Sequence, residues 1–340
     1  MSGDSSQTAP GEPLLRVEGL RTWFPIKSGV FQRTVGHVRA VDGVDITVHA
    51  GETVALVGES GCGKTTAGRS LLRLIEPREG VVFFEGRDLL KLPKKELRDA
   101  RRTAQMVFQD PMSSLNPRLR VRDIIAEGMD SFGIGRDKAE RTERVAELLE
   151  RVQLKADHMS RYPHEFSGGQ RQRIGIARAL SVEPRLLVLD EAVSALDVSI
   201  QAQVLNLLSE LQRDLALAYL FITHDLSVVR YLAKRVCVMY LGQVVEEASA
   251  EELFRDPQHP YTRGLLSAIP SIDPDRRGLD VSFEGDVPSS ANPPSGCRFH
   301  TRCPQVMDRC RVEEPQLIQL SGRQSRCFLS EEGSCGVSLG

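Results

Sequence analysis

The sequence has almost no net charge and no long apolar run. Its 44 lysine and arginine residues nearly balance its 46 aspartate and glutamate residues, so the formal net charge at pH 7 is −2. A near-neutral balance gives no electrostatic basis for binding nucleic acid, and we expect none. No apolar run approaches the ~20 residues that a helix needs to span a bilayer, so the sequence predicts no transmembrane segment.

The N-terminal residues lack the features of a secretory signal. Residues 1–13 are mostly polar, with serine, glycine and proline, and they show neither a basic start nor an apolar stretch. This composition is typical of a disordered lead, and we expect residues 1–13 to be one.

Cysteine is scarce but unevenly distributed, because five of the seven cysteines follow residue 296. Thiolates bind both iron–sulfur clusters and tetrahedral Zn²⁺, and His300 is a further zinc-type ligand. The spacing C-x5-C-x6-C-x16-C is not a standard short ferredoxin run, so spacing alone leaves cluster and zinc open. The four cysteines with this spacing are Cys297, Cys303, Cys310 and Cys327.

The other three cysteines are not assigned to this site. Cys62 and Cys237 are expected to be packing residues, and Cys335 has no assigned partner. Disulfides are an alternative for the C-terminal cysteines, but they are rare in the reducing cytosol.

The most informative pattern is G-x-x-x-x-G-K-T at residues 58–65, which follows an apolar run and precedes a helical stretch. This is the context in which such a loop binds a nucleoside triphosphate. Lys64 is expected to contact the β- and γ-phosphates, Thr65 to hold Mg²⁺, and Thr66 to touch the α-phosphate. The other residues expected to bind ATP in this loop are Gly58, Ser60, Gly61 and Gly63.

Two later patterns also indicate phosphate chemistry. The apolar run 186–189 predicts a strand buried on both faces, and it ends in Asp190, which is expected to hold Mg²⁺, and Glu191, which is expected to polarise the attacking water. The loop Ser167-Gly168-Gly169 before the helical stretch 170–180 predicts a second anion site.

Apolar periodicity gives the remaining elements. Residues 121–129, 137–154 and 201–215 are predicted to be amphipathic helices. Residues 14–57 are predicted to form short strands with a turn-rich insertion at 25–36. Alternating strands and helices around the phosphate loop favour an α/β fold.

Together with Gln109, Ser194-Ala195-Leu196-Asp197 and His224, these motifs resemble, in order, those of an ABC-type ATPase domain over roughly residues 14–270. The resemblance implies an α/β ABC ATPase fold. Its parts would be a RecA-like parallel-sheet core, an antiparallel β subdomain and an α-helical signature subdomain at about 115–180.

The resemblance also implies roles for single residues. His224 would contact the γ-phosphate and orient the water with Glu191, and Gln109 would bind Mg²⁺ or that water. Phe24 would stack on adenine; the alternative is that Trp23 and Phe24 are a core aromatic pair. The signature loop would cap the γ-phosphate held by a partner domain, and this implies dimerisation. The loop consists of Ser167, Gly168, Gly169 and Gln170.

The cysteine spacing, the upstream His259-Pro260-Tyr261-Thr262 and residues 109–118 resemble oligopeptide and dipeptide importers, and residues 36–44 resemble their second ATPase subunit. The resemblance implies a [4Fe–4S] cluster on the four cysteines in a C-terminal extension at 271–340. The implied partners are a second ATPase subunit, two membrane permeases and an extracytoplasmic substrate-binding protein. The implied location is peripheral, at the cytoplasmic face of the membrane.

Two alternatives stay open at this point. One is import of another small solute such as nickel, and the other is a soluble ABC ATPase without a transport role. The sequence departs from the importer pattern at Ala192, where this group normally has proline, and this puts the rigidity of that turn in doubt.

Overall fold

The structure is a computed structural model that describes residues 11–268, 283 and 285–331 of the 340-residue chain. The strands are β1 (Leu15–Ser28), β2 (Arg33–Val48), β3 (Thr53–Val57), β4 (Glu79–Phe84), β5 (Arg87–Asp88), β6 (Ala104–Val107), β7 (Leu186–Asp190), β8 (Ala218–Thr223), β9 (Arg235–Tyr240), β10 (Gln243–Ser249), β11 (Ile318–Leu320) and β12 (Arg323–Ser325).

The helices lie between and after these strands, with short 3-10 turns at Ala156–Ser160 and Pro163–Glu165. The α-helices are α1 (Lys64–Leu71), α2 (Lys94–Thr103), α3 (Pro111–Ser114), α4 (Val121–Phe132), α5 (Lys138–Arg151), α6 (Gly168–Leu180), α7 (Val198–Leu215), α8 (Leu226–Leu232), α9 (Ala250–Arg255), α10 (Pro260–Ser267), α11 (Asp308–Val312) and α12 (Phe328–Glu331).

The chain divides into two compact units. The first takes its described residues from Met1–Leu14, Val48–Thr53 and Phe84–Ile222, and the second from Leu15–Thr47, Val54–Phe83 and Thr223–Gly340. Within the residues that the structure describes, no helix is long and apolar enough to cross a membrane.

The first unit contains the parallel strands β6, β7 and β8, with β7 in the middle. Every residue of β7 and β8 is buried, because helices cover both faces of such a sheet. The predicted strand at 186–189 is therefore confirmed. Its last residue, Asp190, lies at the carboxyl end of the sheet, where α/β folds bind ligands.

The helices of the first unit also follow the sequence prediction. Helix α4 packs against α5 and α6, and it ends at Gly133, whose φ of 66° is a left-handed cap. Helix α5 begins at Asp137, whose side chain accepts a hydrogen bond from the backbone of Glu140. Val145 and Leu149, on the apolar face of the amphipathic helix predicted at 137–154, are buried.

The second unit is built on two groups of strands. One has the order β11-β12-β10-β9-β3, in which β3 and β9 are parallel and the others pair antiparallel. The other has the order β2-β1-β4. Both parallel and antiparallel ladders are thus present in this unit.

The predicted insertion at 25–36 is wrong, since β1 continues to Ser28 and β2 begins at Arg33. The turn between them uses positive φ values of 75° at Gly29 and 47° at Gln32. No residue from 25 to 36 is buried, so the segment lacks the alternation of buried and exposed residues that identifies a strand.

The C-terminal segment shares the core of the second unit. Strand β12 pairs with β10 and thereby extends the sheet. Phe299 is 1% exposed and packs in one apolar cluster with Tyr240 and Tyr261. The described residues after 285 are therefore folded onto the second unit.

Candidate functional site

The phosphate loop requires glycine at two positions for steric reasons. Gly58 and Gly63 have φ values of 152° and 107°. A Cβ at Gly58 would lie 2.1 Å from the carbonyl oxygen of Met239, and one at Gly63 would lie 1.9 Å from that of Ala40. Only glycine allows the backbone this close, so the loop keeps the tight curve that wraps a phosphate.

Lys64 is the first residue of α1, and its side chain lies inside the loop. Its Nζ donates to the carbonyl oxygens of Gly58 at 2.7 Å and Glu59 at 2.9 Å. The residue is 5% exposed. Thr65 and Thr66 follow in the first turn of α1, where the helix dipole favours an anion.

The turn between β9 and β10 supports this loop. The backbone N–H of Gly242 donates to the carbonyl oxygen of Cys62 at 2.9 Å, and that of Asp42 donates to Gly242 at 2.8 Å. Cys62 and Cys237 are both buried, which confirms that they are packing residues. Burial raises the pKa of the Cys62 thiol, so it stays protonated.

The acidic pair lies in the first unit, at the end of β7. Asp190 is fully buried. Glu191 adopts a φ of 46°, and its backbone is held by a bond from its N–H to Ile222 at 2.9 Å and a bond from the Ser194 N–H to its carbonyl at 3.1 Å. A non-glycine residue in this conformation stores strain, a feature that clusters at active sites.

Gln109 contacts the catalytic candidate directly. Its Nε2 donates to Oε2 of Glu191 at 2.8 Å. The resemblance to ABC ATPases implied related roles for the two residues, and the structure brings them together. Ala192, where the importer pattern has proline, is 2% exposed, so its small side chain is packed.

The signature loop is built as a helix cap. Ser167 is the N-cap of α6: its Oγ accepts from the Gln170 N–H, while the Gln170 side chain accepts from the Ser167 N–H at 3.0 Å. A Cβ at Gly169 would lie 2.2 Å from Cγ2 of Ile200, so this position is sterically restricted to glycine. Ser167 and Gly168 are exposed and therefore available to a ligand.

The remaining candidates lie in the second unit. His224, which follows β8 in the chain, is exposed, and Phe24 is 39% exposed. Trp23 is half-buried, with the guanidiniums of Arg39 and Arg78 at 5.0 Å and 4.5 Å from its ring. The alternative of a core aromatic pair is therefore wrong.

Four cysteines line one cavity in the second unit, together with His259, His300 and Phe299. The backbone brings them there: the Cys297 N–H donates to the Cys310 carbonyl at 2.8 Å, which ties the first cysteine to α11. The four are Cys297, Cys303, Cys310 and Cys327.

Burial raises the pKa of Cys297 and of Cys303 to about 11. Thiols that are both buried and close together hold their protons until a cation replaces them. In the described part of the chain, no three cysteine, histidine or acidic side chains converge on a point that would hold one metal ion. The thiol chemistry of the cavity is of the kind that binds soft metals. Cys335 lies outside the described residues.

Two arginines join this segment to the phosphate loop and to β2, and the sequence prediction missed both. Arg302 forms an ion pair with Glu59, and Arg298 forms one with Asp42. Each arginine stands next to one of the cysteines in the chain, but the partners are more than 240 residues away in sequence. No spacing rule could have indicated them.

Comparison with protein families gives two matches. Residues 41–194 match the ABC transporter family, and residues 245–310 match the C-terminal region of oligopeptide/dipeptide transporters.

Individual proteins are similar over nearly the whole chain. The chain is 53% identical to a probable peptide ABC transporter ATP-binding protein of Sinorhizobium fredii, over 94% of this chain and 90% of that protein. It is 52% identical to the oligopeptide transport ATP-binding protein AppF of Bacillus subtilis, over 90% of this chain and 93% of that protein.

Solved structures share the fold. CbiO1 of Clostridium perfringens, part of an ABC transporter complex, matches with a TM-score of 0.61 and 27% identity, covering 71% of this chain and 90% of that one. A dimeric ATP-binding cassette with bound ADP and phosphate matches with a TM-score of 0.61 and 26% identity, covering 69% of this chain and 98% of that one. The chain thus belongs to the ATP-binding proteins of ABC transporters, is an ABC-type ATPase, and carries the oligopeptide/dipeptide transporter C-terminal region.

Proposed function

We propose that this chain is the ATP-hydrolysing subunit of an importer for dipeptides or oligopeptides. The hydrogen bond between Gln109 and Glu191 carries the catalytic part of this proposal, because it joins the two residues just after the ends of adjacent parallel strands. The names of the similar proteins, which are peptide and oligopeptide transport ATP-binding proteins, support the cargo.

Each site residue has a role in hydrolysis. Lys64 and the amides of the phosphate loop bind the phosphates, while Thr65 and Asp190 hold Mg²⁺. Glu191 accepts a proton from the attacking water as general base, and Gln109 and His224 orient that water. Mg²⁺ supplies charge neutralisation of the phosphates when bound. Phe24 is exposed, as a ring that stacks on adenine must be.

The signature loop acts on a second subunit. Ser167 and Gly168 are exposed at the start of a helix, so they can meet a γ-phosphate held by another chain. We propose a heterodimer with a second ABC ATPase, bound at the cytoplasmic face of two membrane permeases that receive cargo from an extracytoplasmic binding protein. The dimeric arrangement of a solved relative supports the pairing.

The C-terminal extension, taken as residues 271–340 after an ATPase domain at 14–270, holds a [4Fe–4S] cluster in this proposal. Four thiols around one cavity support it. A cluster needs its cysteines spread around several irons, whereas zinc needs four ligands converging at ~2.3 Å on one ion. Both groups need thiolates, and we prefer the cluster to zinc because the cysteine spacing resembles that of the importers' C-terminal extension.

Reconstitution tests the transport function. The subunit should be co-expressed with the permeases and partner ATPase from its own gene neighbourhood, placed in liposomes, and assayed for ATP hydrolysis with binding protein and a peptide mixture. Peptide should stimulate hydrolysis, and Glu191→Gln should abolish the stimulation. Stimulation by Ni²⁺ instead of peptide would favour a nickel importer, and hydrolysis independent of permeases would favour a soluble ATPase.

A further inference from the structure

A forked ion pair joins the phosphate loop to the cysteine-rich segment. Arg302 donates from Nη1 to one carboxylate oxygen of Glu59 at 2.8 Å and from Nη2 to the other at 3.1 Å. The Arg302 side chain is 8% exposed and that of Glu59 is 26% exposed. A bidentate, mostly buried pair fixes its partners in direction as well as distance, unlike an exposed surface pair.

Glu59 is the second residue of the phosphate loop and is anchored through its backbone as well. Its N–H donates to the hydroxyl of Tyr261 at 2.9 Å, and its carbonyl accepts from Nζ of Lys64 at 2.9 Å. Tyr261 is completely buried in α10. One residue thus connects the phosphate-binding lysine to α10 and to Arg302.

Aromatic rings hold Arg302 in place. Its guanidinium lies 5.0 Å from the ring centre of Phe283 and 5.9 Å from that of Tyr240. Tyr240 in turn packs against Tyr261 at 4.7 Å. The guanidinium is enclosed by these rings and paired with the carboxylate of Glu59. If the ion pair broke, the positive charge of Arg302 would therefore be left buried without a counter-charge.

Charge gives this contact a consequence for nucleotide binding. Glu59 carries a negative charge within a loop whose proposed ligand is a triphosphate, and like charges repel more strongly where water is partly excluded. Arg302 neutralises that carboxylate and holds it through two hydrogen bonds. Without Arg302, the loop would present an uncompensated negative charge to the phosphates.

We propose that Arg302 is a positioning residue for ATP binding, which neutralises and orients Glu59 and thereby makes nucleotide affinity depend on the C-terminal segment. The inference rests on the proposed role of the phosphate loop and Lys64. Arg302 immediately precedes Cys303, so any change that unfolds the cysteine-rich segment also removes this contact.

A double-mutant cycle tests the inference on the purified full-length protein. The dissociation constant of MgATP is measured for the wild type, Arg302→Gln, Glu59→Gln and the double variant. We expect Arg302→Gln to weaken binding roughly tenfold, as unscreened repulsion of this kind implies. In the Glu59→Gln background, the same substitution should change affinity less than about twofold, since no carboxylate remains to be neutralised.

Further readouts separate positioning from a general structural role. In the assembled complex, Arg302→Gln should raise the KM for ATP while kcat at saturating ATP stays within about twofold. Arg302→Lys keeps the charge without the fork and should recover part of the affinity. Arg309→Gln is the matched control, because Arg309 pairs with Glu313 and Glu331 on the exposed side of the same segment. It should bind ATP as the wild type does.

Two outcomes would overturn the inference. One is an MgATP affinity of Arg302→Gln within twofold of the wild type. The other is that Arg302→Gln lowers MgATP affinity equally in the wild-type protein and in Glu59→Gln. Lys64→Ala distinguishes this failure from a wrong phosphate site. If Lys64→Ala binds MgATP with wild-type affinity, the phosphate site is wrong and the inference is wrong with it. If Lys64→Ala loses affinity but Arg302→Gln does not, the phosphate site is correct and only the inference is wrong. Should Arg302→Gln fail to fold, Arg302→Met, which also removes the charge but keeps an apolar stem between the rings, replaces it in the same cycle.

Discussion

The side-chain amide of Gln109 donates a 2.8 Å hydrogen bond to the carboxylate of Glu191. The two residues follow the neighbouring parallel strands β6 and β7, whose register pairs Val107 with Leu189. The contact links the proposed general base to the start of the segment 109–118, one of the regions that resembles peptide importers. A change at either residue is therefore expected to affect hydrolysis more than stability.

The first prediction concerns Glu191→Gln. The amide cannot accept a proton from water, so hydrolysis should fall by at least ~100-fold, while MgATP affinity stays within about twofold because Lys64 and the loop are unchanged. Single-turnover hydrolysis and equilibrium binding measure the two effects separately.

Glu183→Gln is the control for this substitution. Glu183 also has a left-handed φ, of 57°, but its side chain forms an exposed ion pair with Arg144 at 3.3 Å. Glu183→Gln should hydrolyse ATP at the wild-type rate. Single-turnover hydrolysis by Glu191→Gln at the wild-type rate would show that another group is the base.

The second prediction concerns backbone space in the phosphate loop. Gly63→Ala should destabilise the protein by at least ~2 kcal/mol, because the methyl group would lie 1.9 Å from the carbonyl oxygen of Ala40 at a φ of 107°. Thermal unfolding measures the change.

Gly175→Ala provides the opposite case for comparison. Gly175 lies within α6, and a Cβ there meets nothing within 4 Å. Alanine should stabilise the protein by about 0.5–1 kcal/mol through helix propensity. Equal effects of the two substitutions would contradict the steric account of Gly63.

Much of the fold could be predicted from local pattern. The strand ending at Asp190 is a run of apolar residues, and Val145 and Leu149 stand at helical spacing in α5. Such local patterns of buried residues are enough to predict the strand and the helix. The capping box of α6 also has a local sequence pattern, because Ser167 and Gln170 stand three residues apart.

Other features could not be predicted because they depend on distant parts of the chain or on exposed residues. The hairpin formed by β1 and β2 buries neither face between residues 25 and 36, so it carries no alternating pattern. The pair of Glu59 and Arg302 is 243 residues apart in the chain. It exists because β12 joins β10 and Phe299 enters the core of the second unit, and tertiary packing of this kind leaves no periodic signal.

The third prediction tests the proposed action of Ser167 on a partner subunit. Ser167→Ala removes an N-cap, so it should cost about 1 kcal/mol of stability. It should also lower ATP turnover of the assembled heterodimer at least tenfold, because the hydroxyl no longer meets the partner's γ-phosphate. ATP binding by the isolated subunit should not change.

Asp137→Ala separates the two effects, since Asp137 caps α5 through the Glu140 N–H at 2.9 Å and has no proposed role in hydrolysis. It should cost similar stability and leave turnover unchanged. If both variants lose turnover in proportion to stability, Ser167 is a structural cap only.

The last prediction concerns the cysteine cavity. Anaerobically purified protein should be brown and contain iron and acid-labile sulfide in equal amounts, whereas zinc would give a colourless protein. Cys303→Ser should lose the colour and most of the iron, because serine is a poor ligand for iron in a cluster. It should also lower the Tm, since Phe299 near this cavity shares the core with Tyr240 and Tyr261, and metal binding contributes to folding such segments. Protease should then cut within 285–331 faster than in the wild type.

Cys237→Ala is the control, because Cys237 is buried in β9 and does not line the cavity. The iron content of this variant should equal that of the wild type. Stoichiometric zinc without iron, or wild-type iron in Cys303→Ser, would contradict the proposed cluster.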